Sequence, residues 1–198
     1  MIFISNGNPT ETGVIFILPT INLTVKYKSL PELFFKRAEK YGDRVLMRYK
    51  TRIDQPLQEY SWNQTKLRIE EIALGLRALG SSSGDHIGLL AATCHLWMPV
   101  DFGILTAGAV TVPLYHNSAT ESVKYIVNDA KLKFIFVKDK IQLQKVRANW
   151  SDYPHLRFAI VMFDRGDIPK NDPRIITLDE LQRIGRDASV KSSTRPEQ

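Results

Sequence analysis

The 198 residues suffice for one generous α/β domain or for a lobe of a larger protein. A composition of 43% hydrophobic and 24% charged residues is that of a globular chain able to bury a core, which excludes disorder throughout. The formal charge of +6 is uneven: Lys26 to Arg77 holds twelve basic and seven acidic residues, and Lys131 to Arg157 holds seven and two.

These cations are interleaved with apolar positions, so they read first as solvated outer faces. Their second reading is attraction to anionic lipid or acidic ligands, which gives an expectation of peripheral membrane contact. Nucleic acid is not expected as a partner, because no recognition motif or stacking aromatic pair accompanies the charge. One cysteine, Cys94, cannot build an internal disulfide, which fits a reducing, cytoplasmic setting. The run Val14 to Leu18 is too short for a membrane span and lacks the preceding positive charge of a signal peptide. Without secretion, the sequon at Asn22-Leu23-Thr24 is a chance match.

In chain order, residues 1–28 read as a weakly structured leader. Ser29 and Glu32 form a capping box for a helix with Leu30, Leu33, Phe34, Ala38 and Tyr41 on one face, ended by Gly42. Extended pieces follow at Val45 to Tyr49 and Leu57 to Tyr60. Ser61 and Gln64 then cap a helix whose buried stripe is Ile69, Ile72, Ala73, Leu76 and Leu79, with Gly80 placed to terminate it.

From Ile87 the chain alternates. Strands are expected at Ile87 to Ala91, Val110 to Pro113, Phe134 to Val137 and Phe158 to Phe163. Helices are expected around Trp97 to Ala107, Ala119 to Asp129 and Ile141 to Asn149, the second opened by a Ser118–Glu121 capping box. Such alternation predicts a three-layer α/β fold, at least in part, with a mainly parallel sheet flanked by helices. Strands Ile87 to Ala91 and Phe134 to Val137 have the apolar character of strands buried on both faces. The helix near Trp97 is apolar almost all round, so Asp101 should be buried with a capping or ion-pair partner. Pro99 is comfortable only in a first turn, which predicts a late start for that helix. After Phe163 the chain turns polar. A strand at Ile175 to Thr177 and a helix at Leu178 to Ile184 follow, with Thr177 as cap, and Asp187 to Gln198 reads as an exposed linker.

Taken in order, Ser61-Trp62-Asn63-Gln64, Leu76-Arg77-Ala78-Leu79-Gly80 and Gly84-Asp85-His86-Ile87-Gly88-Leu89-Leu90 are similar to the opening of AMP-forming acyl-CoA synthetases. The stronger likeness is Trp97 and Asp101 followed by Gly103-Ile104-Leu105-Thr106-Ala107-Gly108-Ala109-Val110-Thr111-Val112-Pro113-Leu114-Tyr115, which resembles the long-chain fatty acid:CoA ligases of the adenylate-forming superfamily. Glu121 to Ala130 resembles the family's next helix, and Lys133 to Val137 its next strand. The loop Ala92-Thr93-Cys94-His95 departs from the Glu-Asn-Arg type of sequence often found there.

The resemblance implies a complete enzyme that uses ATP and magnesium to convert a fatty acid to acyl-AMP, and then CoA to form acyl-CoA. It also implies a phosphate loop reading Tyr-Thr-Ser-Gly-Thr-Thr-Gly-x-Pro-Lys-Gly, a string this sequence does not contain. Gly80-Ser81-Ser82-Ser83-Gly84 is the nearest substitute. It lacks a lysine and sits where a helix cap and turn belong. The division expected is therefore a leader at 1–28, an AMP-dependent-synthetase subdomain at 29–164 and a polar extension at 165–198 leading towards an ATP-binding region.

No catalytic, cofactor-binding or metal residue is assigned. Cys94 reads as packing, since sequence adjacency to His95 is not contact. His86, His95, His116 and His155 lack ligand spacing. His116 follows a strand end, where α/β sites lie, but reads first as a turn residue. The chain alone is expected to need no cofactor and to be inactive, and its exposed apolar surface to favour self-association. The alternative is a free-standing noncatalytic binding or assembly module built from the same subdomain. A flavodoxin-like receiver is set aside, because Ala91-Ala92-Thr93 supplies no acidic pair.

Overall fold

A computed structural model describes residues 27–51, 54–163, 166, 168–169 and 172–193. The expected leader and the Asn22 sequon fall almost wholly outside them.

Helix α1 (Leu30–Tyr41) begins where Ser29 Oγ accepts the Glu32 N–H at 3.2 Å. Glu32 does not close the expected box on Ser29, because its carboxylate accepts the Lys28 N–H at 2.7 Å instead. Only Phe34 and Ala38 of the expected face are buried, and Leu30 is 56% exposed. Strands β1 (Val45–Tyr49) and β2 (Gln58–Ser61) form an antiparallel hairpin. Helix α2 (Trp62–Ala78) carries a complete capping box: Ser61 Oγ accepts from Gln64 N–H, and Gln64 Oε1 accepts from Ser61 N–H. Ile69, Ile72, Ala73 and Leu76 are buried as the stripe requires. Gly80 ends the turn at φ 89°, where a side chain would be strained.

The main sheet contains β3 (His86–Leu90), β4 (Val110–Leu114), β5 (Phe134–Val137), β6 (Phe158–Val161) and β7 (Ile175–Thr177). All its pairs are parallel, in the order β4-β3-β5-β6-β7, with Ile87 opposite Phe134 and Leu90 opposite Val137. Helices α3 (Trp97–Thr106), α4 (Thr120–Asp129), α5 (Lys140–Arg147) and α6 (Leu178–Ser193) complete the layers.

Strand alternation divides the core in two. Ile87, Leu89, Phe134, Phe136 and Ile160 face α2, α3 and α6. Leu90, Ile135, Val137, Ala159 and Val161 face α4 and α5. Phe34, Ala38 and Ile69 form a third cluster holding α1 to α2. The fold is thus the expected three-layer α/β arrangement with a parallel sheet, buried on both faces because helices cover both.

Several local expectations are corrected. Helix α3 starts at Trp97, not late: Pro99 is its third residue, where the missing N–H would have no intrahelical acceptor. Asp101 is only half-buried, and its side chain makes no ion pair or hydrogen bond among the described residues, so the expected partner is not found. The Ser118–Glu121 box does not form. Ser118 is held in a turn by its N–H to Tyr115 O, and α4 begins from Ala119 without a side-chain cap. Thr177 does cap α6 as expected, its Oγ1 accepting the Glu180 N–H while Glu180 Oε2 accepts the Thr177 N–H. That helix runs on to Ser193 through the stretch from Asp187 expected to be a linker. It crosses α2 at Gly75 and Gly185, where added Cβ atoms would meet Leu181 O at 2.3 Å and Glu71 O at 2.0 Å.

Candidate functional site

In a doubly wound sheet, ligands bind outside the carboxyl ends of the strands at the point where the winding reverses. Here β4 lies on one side of β3 and β5, β6 and β7 on the other, so the reversal is between β3 and β5. A cleft of about 850 Å³ opens at that place. Thr93, Cys94 and His95 reach it from the loop after β3, Lys138 and Asp139 from the end of β5, and Phe163 from beyond β6. The hairpin supplies Tyr49, Lys50, Thr51 and Gln55 as the opposite wall.

Aromatic contacts fix that wall. The His95 imidazole stacks on Tyr49 with centroids 3.8 Å apart and planes within 16°. Phe163 meets the same imidazole edge-on at 5.4 Å, and Tyr60 lies 5.9 Å away. Burial, helped by the Arg68 cation, pushes His95 down to about 4, so the ring is neutral at pH 7. Burial, and then the neighbouring Tyr60 hydroxyl, push Tyr49 up to about 12. Arg68 itself lies over the Tyr60 ring at 4.6 Å.

Cys94 is half-buried against the core. Burial pushes its thiol up, and the opposing pull of the Leu96 and Trp97 N–H groups and of Lys138 does not reverse this. His95 is engaged with Tyr49, so the adjacent cysteine and histidine form no nucleophile–base pair. Asp139 Oδ1 accepts the N–H groups of Ile141 and Gln142 and caps α5. Lys138 is half-buried and makes no side-chain hydrogen bond or ion pair among the described residues. The cleft therefore offers an imidazole held between Tyr49 and Phe163, a protonated thiol and an ammonium unpaired among the described residues. This is equipment for binding.

The glycine-serine run lies at the other end of the sheet, before β3. Four of its five amides are already committed: Gly80 N–H to Arg77 O, Ser81 N–H to Leu76 O, Ser82 N–H to Asp85 Oδ2 and Gly84 N–H to Gly108 O. A phosphate cradle needs several convergent free N–H donors, and this turn leaves only that of Ser83. Asp85 also accepts from Lys133 Nζ at 2.8 Å. Burial raises the Asp85 carboxyl, but Lys133, the Ser82 N–H and Arg157 together hold it below the usual range.

The four histidines are dispersed. His86 Nδ1 bonds Ala130 O at 2.8 Å, and His155 is exposed. His116 lies in the turn after β4, where Lys145 Nζ donates to its carbonyl, and lines a smaller hollow with Trp97 and Tyr115. Among the described residues no group of three or more His, Cys, Asp or Glu side chains could hold a metal. No described helix is long and apolar enough to cross a membrane. Sequence reasoning passed over Tyr49, Lys50 and Lys138. Only the strand-end rule could have found Lys138, and nothing local marks the hairpin residues.

The family model for AMP-binding enzymes matches residues 34–193. The chain belongs to that family. The rat long-chain-fatty-acid–CoA ligase ACSBG1 is 26% identical over 156 residues, covering 79% of this chain and 21% of the relative. FadD15 of Mycobacterium tuberculosis, also a long-chain-fatty-acid–CoA ligase, is 32% identical over 118 residues, covering 60% and 20%. This member of the AMP-binding family thus spans about a fifth of the length of the curated relatives it matches. Among solved structures, the anthranilate CoA ligase AuaEII, crystallised with anthranoyl-AMP, has a TM-score of 0.67 at 18% identity, covering 77% of this chain and 27% of its own. The long-chain-fatty-acid–CoA ligase FadD1 of Archaeoglobus fulgidus has a TM-score of 0.65 at 16% identity, covering 79% and 30%. The fold is that of adenylate-forming enzymes.

Proposed function

We propose that this chain is the N-terminal α/β portion of a long-chain fatty acid:CoA ligase. In the complete enzyme a fatty acid carboxylate attacks the α-phosphorus of ATP and releases pyrophosphate, and the CoA thiol then takes the acyl group and releases AMP. The observation that carries this reading is the family match over residues 34–193, together with relatives named as long-chain-fatty-acid–CoA ligases.

Residues 1–198 by themselves form no acyl-adenylate. The reaction gathers negative charge at phosphate and calls for amide donors, cations and magnesium around it. This sequence holds no family phosphate loop, and four of the five amides of its glycine-serine turn are internally bonded. Magnesium, ATP and CoA belong to the complete enzyme. The setting is cytoplasmic, with the two basic segments available for peripheral contact with anionic lipid.

ATP–pyrophosphate exchange with palmitate tests the inactivity, and exchange above a no-enzyme blank defeats it. The DNA downstream of Gln198 separates this reading from a noncatalytic module. A continuing frame encoding the phosphate loop supports the ligase, whereas a stop codon supports the module.

A further inference from the structure

The cleft between the ends of β3 and β5 is not used by any step proposed above, and its chemistry points to a ligand of its own. Among the described residues the other partly buried lysines have partners. Lys133 pairs with Asp85 at 2.8 Å, and Lys145 donates to the carbonyls of His116 and Ser118 at 2.8 and 2.9 Å. Lys138 has none, although it is half-buried at a strand end. The acid beside it, Asp139, turns an oxygen to the amides of α5. With Lys50 on the facing hairpin, the described lining sets two lysines against one aspartate.

The aromatic wall supplies the second half of the recognition. Tyr49 and His95 are already stacked, so their planes are held in place before any ligand arrives. Phe163 supports the imidazole from its edge. At about 850 Å³ the space accommodates a small organic molecule.

We infer that this cleft binds a small oxyanion carrying a flat ring, with Lys138 anchoring the carboxylate or phosphate and the His95 imidazole, backed by Tyr49, taking the ring. The inference does not rest on the ligase reading. Exchange activity reports one, and ligand titration of the full chain reports the other.

The test is a two-dimensional amide NMR titration of residues 1–198 with benzoate, phenyl phosphate and inorganic phosphate. Saturable shifts at Thr93, His95 and Lys138 are expected with one or both ring-bearing anions, and the arm that saturates first identifies the anionic group. Inorganic phosphate binds more weakly. Lys138→Gln weakens the ring-bearing anion about tenfold, the size of one charge-assisted hydrogen bond. If that variant loses the spectrum of the folded chain, Tyr49→Leu decides: it weakens the ring-bearing anion and leaves inorganic phosphate unchanged. The inference is overturned by non-saturating shifts, by a folded Lys138→Gln that binds like the parent, by inorganic phosphate binding as tightly as phenyl phosphate, or by an indifferent Tyr49→Leu.

Discussion

Replacing Gly185 by alanine is the most demanding test of the packing. On an exposed helix this change stabilises by about 1 kcal/mol, because alanine loses less backbone entropy. At the α2–α6 crossing the new Cβ would stand 2.0 Å from Glu71 O, 2.9 Å from Glu71 C and 3.0 Å from Gly75 N. These are backbone atoms, so no rotamer change relieves the clash, and the helices must part by about 1 Å in a close-packed interior. Parting them loosens Leu178 and Leu181, which are 3% and 0% exposed. Overpacking of this kind costs about 1 to 3 kcal/mol, and here the upper end outweighs the propensity gain, leaving about 2 kcal/mol of net loss. For a chain of this size that lowers Tm by about 4 to 8 °C. Thermal unfolding followed by circular dichroism reads the shift. An unchanged or raised Tm would refute the close crossing and with it the placement of α6.

Three further outcomes follow from named contacts. Ser61→Ala removes the acceptor for Gln64 N–H and should cost about 1 kcal/mol in urea unfolding, with the m-value unchanged. Asp85→Asn leaves Lys133 without its counter-charge and should cost about 1 kcal/mol at neutral pH. The Asp85 carboxyl is held low in the fold, so this contribution is present above its unfolded pKa and disappears as pH falls through the folded value. His95 is lowered from 6.5 to about 4, so the unfolded chain binds more protons between those values. Stability should therefore fall as pH drops from 6.5 towards 4, with a slope reduced by the ring's partial exposure. His95→Phe should flatten that window relative to the parent, and parallel pH profiles would contradict the assignment.

Elements governed by local signals were legible in the sequence. Ser61 and Gln64 marked the start of α2, and Phe134 to Val137 was recognisable as a doubly covered strand because all four residues are apolar. The errors arose where tertiary contacts override local chemistry. Gly185 carries the local mark of a helix end, yet it is the point at which α6 approaches α2 most closely, so the helix continues to Ser193. Ser118 has the right spacing from Glu121 for a cap, but its N–H and carbonyl are taken by Tyr115 O and Lys145. The cleft is legible only through topology. Tyr49 and His95 are 46 positions apart, and nothing in either segment announces the other.

The central claim is that this AMP-binding family chain carries the α/β portion of a fatty acid:CoA ligase without the means to adenylate. Palmitate-dependent ATP–pyrophosphate exchange, measured on residues 1–198 and on the polypeptide encoded by the uninterrupted reading frame, tests it most directly. The account predicts no exchange above blank for the first and exchange for the second. Exchange by residues 1–198, or none by a longer chain carrying the phosphate loop, would contradict it.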